Sequence, residues 1–164
     1  MIYTEDQCLS QIRNIEHSDD VNKEALFLLW HGRLGKIILE KIDRGEMNER
    51  KILHHGVNVG DVFCAYLGSI PLLFEVIELH GNRKGFVREV FSRKLEESYV
   101  QGHCIPMIGR YCGESQKVHF SGSVNAKFPS NAARCKVSFT IDGRRFKDVV
   151  ATFCEPGVPL KWAA

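Results

Sequence analysis

A chain of 164 residues with 44% apolar and 26% charged positions has the size and composition of one globular domain that buries its own core. It holds no run of about 18 apolar residues, and its start, MIYTEDQCLSQIRN, has neither a basic nor an apolar leader segment, so no membrane span or secretion signal is expected and the cytoplasm is the expected compartment. The net charge of +2 hides a split: residues 1–80 carry 8 Lys/Arg against 13 Asp/Glu and residues 81–164 carry 14 against 7, which steers an anionic partner to the back half or draws the two halves together.

Thr4-Glu5-Asp6-Gln7 has the form of a capping box, and Leu9, Ile12 and Ile15 make one apolar stripe behind it, which predicts a short first helix. Ser18-Asp19-Asp20 offers a second cap. Ala25, Leu26, Leu29, Trp30, Leu34, Ile37, Ile38 and Ile42 then recur at helical spacing over about six turns, predicting a long amphipathic helix that ends near Arg44-Gly45. Gly32 and Gly35 lie inside it, each costing about 1 kcal/mol relative to Ala, and predict either a kink or close contact with the sheet. Residues 48–53 read as one more helical turn before His54-His55-Gly56.

Strand signals are densest over residues 59–90. Val62-Phe63-Cys64-Ala65-Tyr66-Leu67 is aromatic and β-branched and is stopped by Gly68-Ser69. Residues 72–79 put Phe74, Val76 and Glu78 on one side and Leu73, Glu75, Ile77 and Leu79 on the other, so this is read as a central strand covered on both faces. His80-Gly81-Asn82-Arg83-Lys84-Gly85 is a hairpin turn into the alternating residues 86–91. Residues 92–98 are expected as a charged loop or helical turn. Residues 99–111 contain Gly102, Pro106 and Gly109 and predict only a short or edge strand. Residues 117–121 and 124–128 read as short strands. Residues 134–141 alternate cleanly into Asp142-Gly143, a type I′ turn signal, and the return strand runs over 144–153 with its inward set open between Phe146, Asp148 and Val150 and Lys147, Val149, Ala151 and Phe153. The end, with Pro156 and Pro159, is expected to close over the sheet with Trp162 as its anchor.

Two helices followed by six or seven short strands make an α+β chain. The expectation is a single domain over residues 1–164, with a helical front (1–55) packed on a β-rich body (56–164). That body is read as a strongly bent antiparallel sheet or a partly open SH3-like or OB-like barrel. At GDVF (60–63), LFEVIELHGNRKGFVREV (73–90) and the terminal Pro159-Leu160-Lys161-Trp162, the chain resembles small phage- and plasmid-borne proteins with a GD(I/V)F…FYxVxxxxGKK…LRE pattern and a C-terminal Trp. Those relatives carry Trp-Gly after the first strand, where this chain has Leu67-Gly68. The resemblance implies a mobile-element accessory protein and brings no catalytic residues with it.

Few groups suggest chemistry. Six cysteines without a secretion signal are expected as reduced thiols, several packed in apolar runs. His103, Cys104, Cys112 and His119 are the most metal-like set, but no CxxC or HxxxH spacing joins them, so neither a metal nor any other cofactor is expected. A nucleophile pair drawn from Cys64, Cys104 or Cys112 with His54, His55 or His80 lacks a local sequence to poise it, and no catalytic residue is assigned. Asp61, Glu75, Glu78 and Glu89, on neighbouring strands, could meet as an acid/base pair or pair with Arg88 and Lys84. Basic residues are more suggestive: Arg83, Lys84, Arg88, Arg93 and Lys94 around the first hairpin and Arg144, Arg145 and Lys147 at the second, with Phe86, Tyr99 and Tyr111 for base stacking.

The leading expectation is therefore a non-catalytic binding or accessory protein that takes a partner protein or a nucleic acid on its β-rich body. The alternative is a small-molecule pocket between the sheet and the long helix, around Trp30, His31, Phe74 and Glu75. Self-association through the apolar helix stripe, giving a homo-oligomer, is a third.

Overall fold

The computed structural model describes residues 3–44, 56–81, 83–126, 128–155 and 157–163; the expected helical turn at 48–53 and the histidines at 54 and 55 lie outside them. Helix α1 (Glu5–Glu16) starts on the expected capping box: Gln7 N–H donates to Thr4 Oγ1 at 3.2 Å and Thr4 N–H to Gln7 Oε1 at 2.9 Å. Helix α2 (Lys23–Asp43) follows Asp20, whose carboxylate accepts from Asn22 N–H at 2.8 Å. It runs unbroken through both glycines. Gly35 serves close packing instead, since a Cβ there would lie 3.2 Å from Leu95, whereas one on Gly32 would meet only the Arg93 side chain at 3.6 Å. The buried stripe of α2 is Phe27, His31, Leu34 and Ile38, turned from the expected one, so Leu29 is 46% exposed while His31 is fully enclosed.

Seven strands follow among the described residues: β1 (Val62–Leu67), β2 (Ile70–His80), β3 (Lys84–Lys94), β4 (Gln101–His119), β5 (Arg134–Ile141), β6 (Arg144–Cys154) and β7 (Leu160–Ala163), ordered β5-β6-β1-β2-β3-β4-β7 with antiparallel neighbours throughout. The α+β class and the covered central strand hold. The turn at Asp142-Gly143 has φ of 51° and 76°, the two positive values that a type I′ turn requires. Several boundaries differ from expectation. Residues 92–94 continue β3 rather than starting a loop, and residues 101–119 form one 19-residue strand where two shorter ones were read. Bulged pairing with β3 lets that strand carry Pro106 and Gly109 without ending. Residues 124–128 are turn rather than strand among those described. The C-terminal segment adds β7 to the edge of β4 rather than lying over the sheet, and its Trp162 is buried.

Bulges also settle which side chains face inward. Asp148 sits at φ 54°, and pairing slips so that Val137 faces Val149 while Phe139 faces Phe146; the inward set of β6 is thus Phe146, Val149, Ala151 and Phe153, taken from both alternatives. A second slip between Val76 and Glu78 returns Leu79 to the same side as Phe74 and Val76.

The sheet bends round on itself without a ladder that closes it into a barrel. Phe63, Phe74, Val76, Val87, Val118, Val137 and Phe139 share one buried cluster, so β5, at one edge, packs against β2 and β4 across the interior. The Phe74 and Phe139 ring centroids are 6.3 Å apart, whereas three strand spacings in a flat sheet would separate β2 from β5 by about 14 Å. A second cluster joins α1 and α2 to Ile105 and Ile108 of β4, on the outside of the bend. No described helix is long and apolar enough to cross a membrane, which leaves strands out of account.

Candidate binding surface

The bend brings the C-terminal half of β4 alongside β5. Val118, Phe120, Cys135, Val137 and Phe139 point into the core, so by strand alternation Lys117, His119 and Ser121 stand outward on one side of the junction and Arg134, Lys136 and Ser138 on the other. Two points tie the strands together. Ser121 and Arg134 exchange both backbone hydrogen bonds at 2.9 Å. Four residues along β5, the side-chain amide of Gln116 substitutes for a strand: its Nε2 donates to Ser138 O at 2.9 Å and its Oε1 accepts from Ser138 N–H at 2.8 Å.

Between those ties lies a cleft of about 370 Å³, lined by Lys117, Val118, His119, Ser121, Arg134, Cys135, Lys136 and Val150. Among the described residues no carboxylate lines it. Arg134 is held in place by its own loop, Nη1 donating to Ser130 O at 3.1 Å and Ala132 O at 3.2 Å, which leaves most of the guanidinium's five donors for other partners. The basic character extends beyond the cleft, since residues 116–153 hold seven Lys or Arg and two Asp.

The basic residues expected around the hairpins are dispersed. Arg83 and Lys84 are exposed at the β2–β3 turn, about 33 Å along β3 from Arg93 and Lys94. Arg88 is turned inward, donating to Gly113 O at 2.6 Å with its guanidinium 4.7 Å from the Tyr111 ring. Arg93 packs beside Gly32, and Lys94 lies 4.0 Å over the Trp162 ring. Arg144 covers Phe146 at 5.0 Å, and Arg145 donates to Thr140 Oγ1 at 3.4 Å on the exposed β5–β6 hairpin. Of the three rings named for stacking, Tyr99 is 94% exposed, Phe86 is partly covered against His80, and Tyr111 is engaged in the interior. The alternation in KVHF and RCKVSF marks Lys117, His119, Arg134 and Lys136 each as outward-facing, but nothing in the sequence joins the two segments into one set.

The residues grouped as a pocket are not gathered around one space. Phe74 and Glu75 leave β2 on opposite faces, and Trp30 packs edge-on against Tyr3 with Arg33 over it. His31 stacks on Phe27 inside the helix layer. Neither ring nitrogen meets hydrogen-bond geometry with a partner, although the Ile108 backbone lies close; burial first, then Arg93 and Arg110, pull its pKa down to about 4.

Glu75 does meet a second carboxylate, but it comes from α1 rather than from a strand. Its Oε1 accepts from Gly109 N–H at 3.1 Å, and Tyr111 Oη lies 2.7 Å from both Glu75 Oε2 and Glu16 Oε1. Gly109 has φ 82°, and a Cβ there would come within 3.0 Å of the Glu16 carboxyl, so this close approach of α1 requires glycine. Burial raises the pKa of Glu75, and the negative charge of Glu16 adds to it, against the hydrogen bonds from Tyr111 and Gly109.

The thiols are poorly placed for nucleophilic work. Burial pushes Cys104 to about 11, and burial with Glu89, whose Oε2 is 3.1 Å from the thiol, pushes Cys112 to about 12. Cys64 is buried with its thiol donating to Ala65 O at 3.9 Å, and the neighbouring Cys154 thiol lowers its pKa; His80 pairs with Glu78 at 3.0 Å instead of with a thiol. His103 is bound to Glu96 through both its ring Nδ1 and its backbone N–H at 2.6 Å, and no cluster of three metal-ligating side chains occurs among the described residues. Comparison with protein-family models, with curated proteins and with solved structures returned no match for this chain.

Proposed function

We propose that the protein is a non-catalytic binding protein whose β-rich body takes a single-stranded nucleic acid along the outer face of β4, β5 and β6. One observation carries this reading: cationic side chains from two strands distant in sequence face one carboxylate-free cleft. A backbone carrying one charge per nucleotide suits a row of Lys and Arg, and binding would release condensed counterions. Partial barrels of the OB type offer nucleic acid a comparable sheet face, and an accessory role fits the resemblance to phage- and plasmid-borne proteins. Fluorescence anisotropy with a labelled single-stranded oligonucleotide tests it. Affinity is expected to fall steeply and linearly in log–log form as salt rises, and no binding at low salt overturns the reading.

A second reading has its own observation. A small cleft of about 80 Å³ between the helices and the sheet is walled by Leu9, Leu34, Ile38, Ile105 and Leu160, with Arg13 and Asp61 beside it. An apolar wall with a few charged groups is the form of a small-molecule site, and saturable thermal stabilisation by a small ligand would support it.

A further inference from the structure

We propose that the window between the two ties of the β4–β5 seam is a phosphate site, in which a phosphate group is held by the side chains of Lys117, Arg134 and Lys136 and by backbone N–H groups of the facing strand edges. This rests on the nucleic-acid reading and names the group recognised and its place.

Strand parity carries the argument. Arg134 and Ser138 both direct their backbone N–H and C=O across the seam, so Lys136, midway between them, directs its own the same way. On β4, Ser121 faces the seam and Phe120 N–H donates back to Arg83 O at 2.7 Å, so His119 also faces the seam. The bridge at Ser121 and Arg134 nevertheless does not continue to His119 and Lys136, which would be the next pair in register. Two strand edges thus face each other across a cleft instead of zipping shut. The Gln116 amide prevents collapse on one side and the Ser121–Arg134 bridge fixes the spacing on the other, so the opening exists before any ligand arrives.

The lining suits a tetrahedral anion. Lys117 and Lys136 enter from opposite strands, Arg134 supplies a planar fork already pinned by Ser130 and Ala132, and the Ser121 hydroxyl and His119 ring add donors. Val150, paired with Lys136 across the β5–β6 ladder, adds an apolar edge to the cleft. Acidic residues line the cleft beside α1, with Glu5 and Asp61, and the groove beside β7, with Glu96; two further clefts without acidic lining hold a single cation each, Arg83 and Lys94, whereas the seam gathers Lys117, Arg134 and Lys136.

The test uses the full ¹⁵N-labelled chain, titrated with inorganic phosphate and, in a separate arm, with a single-stranded oligonucleotide. Phosphate is expected to move the His119 and Lys136 amide resonances saturably, and Lys117→Ala with Lys136→Ala is expected to weaken it at least tenfold while Arg83→Ala with Lys84→Ala leaves it unchanged. Small shifts spread evenly over all basic surfaces, or a seam variant that binds phosphate as the parent does, overturn the site. If the oligonucleotide binds while the seam amides stay still, the phosphate site fails and the nucleic-acid reading survives. If phosphate moves those amides but no oligonucleotide binds, the site stands for free phosphate and the nucleic-acid reading fails.

Discussion

Tyr111 has one hydroxyl hydrogen and two carboxylate oxygens at 2.7 Å, so it donates to one of them and the other reaches its oxygen comfortably only by bringing a proton of its own. Glu75, 4% exposed, is the carboxyl whose burial favours that proton. The charged groups facing it are Glu16 and Arg13 on α1 and Arg88, its cross-strand neighbour on β3. A carboxyl with a raised folded-state pKa stabilises fully below its ordinary value of 4.5, and that contribution is lost as pH rises through the raised one. His31 works in the opposite sense. Its stabilising effect as neutral imidazole is complete above 6.5 and is lost as pH falls toward about 4. At about 1.4 kcal/mol per pKa unit the loss is on the order of 3 kcal/mol. Urea unfolding between pH 4 and 8 should separate the two: Glu75→Gln removes the loss on the alkaline side, and His31→Leu removes the loss on the acid side while raising stability throughout. Identical pH slopes in parent and variants would contradict both assignments. Tyr111→Phe should cost about 1–3 kcal/mol by leaving the carboxyl pair without its bridge. These contacts were hidden in the sequence, which shows Glu75 on a strand but not that Glu16, 59 positions earlier, ends its helix beside Tyr111.

Element by element, local signals were informative wherever local chemistry decides the outcome. The Thr4 capping box, the turn at Asp142-Gly143 and the hairpin after His80 all fold as their residues dictate, because each is built from neighbours in the chain. The misread segments are those decided by distant neighbours. Gly102, Pro106 and Gly109 weaken a strand in isolation, yet β4 runs past all three because distant strands pair with it: Gly102 is paired with Trp162 of β7, Pro106 with Ser92 of β3, and Gly109 falls in the bulge between the Ser92 and Val90 pairs. The rotation of the α2 stripe has the same origin: Leu34 and Ile38 face Ile105 and Ile108, and the buried side chain one turn back is a histidine that a hydropathy pattern counts as polar. Strand β7 is held by pairing to residues 101–104, by Ala163 N–H donating to Ser69 O at 3.1 Å and by buried Trp162. Removing residues 160–164 should therefore lower the melting temperature, and Trp162→Ala alone should cost about 3–5 kcal/mol, as for other large-to-small core changes. Calorimetry of both variants checks this, and an unchanged melt would mean that the edge strand contributes nothing.

For the molecule as a whole, the acidic front and basic back visible in the charge count become contacts between layers and a surface with an excess of positive charge. Glu24 of α2 pairs with Arg110 of β4, joining the two halves. Much of the remaining positive charge lies on β4, β5 and β6, beyond the helices. What no reading of separate strands supplies is closure: the sheet turns far enough to bring β5 beside β4, and only that long-range geometry converts two alternating basic strands into one cleft. Charge reversal at the cleft tests this most directly. Oligonucleotide affinity measured at a single low salt concentration for Lys117→Glu with Lys136→Glu, beside Arg83→Glu with Lys84→Glu, should fall by more than tenfold in the first pair and by no more than a few-fold in the second. Equal losses in both, or a greater loss at the β2–β3 turn, would contradict the assignment of the binding surface to the seam.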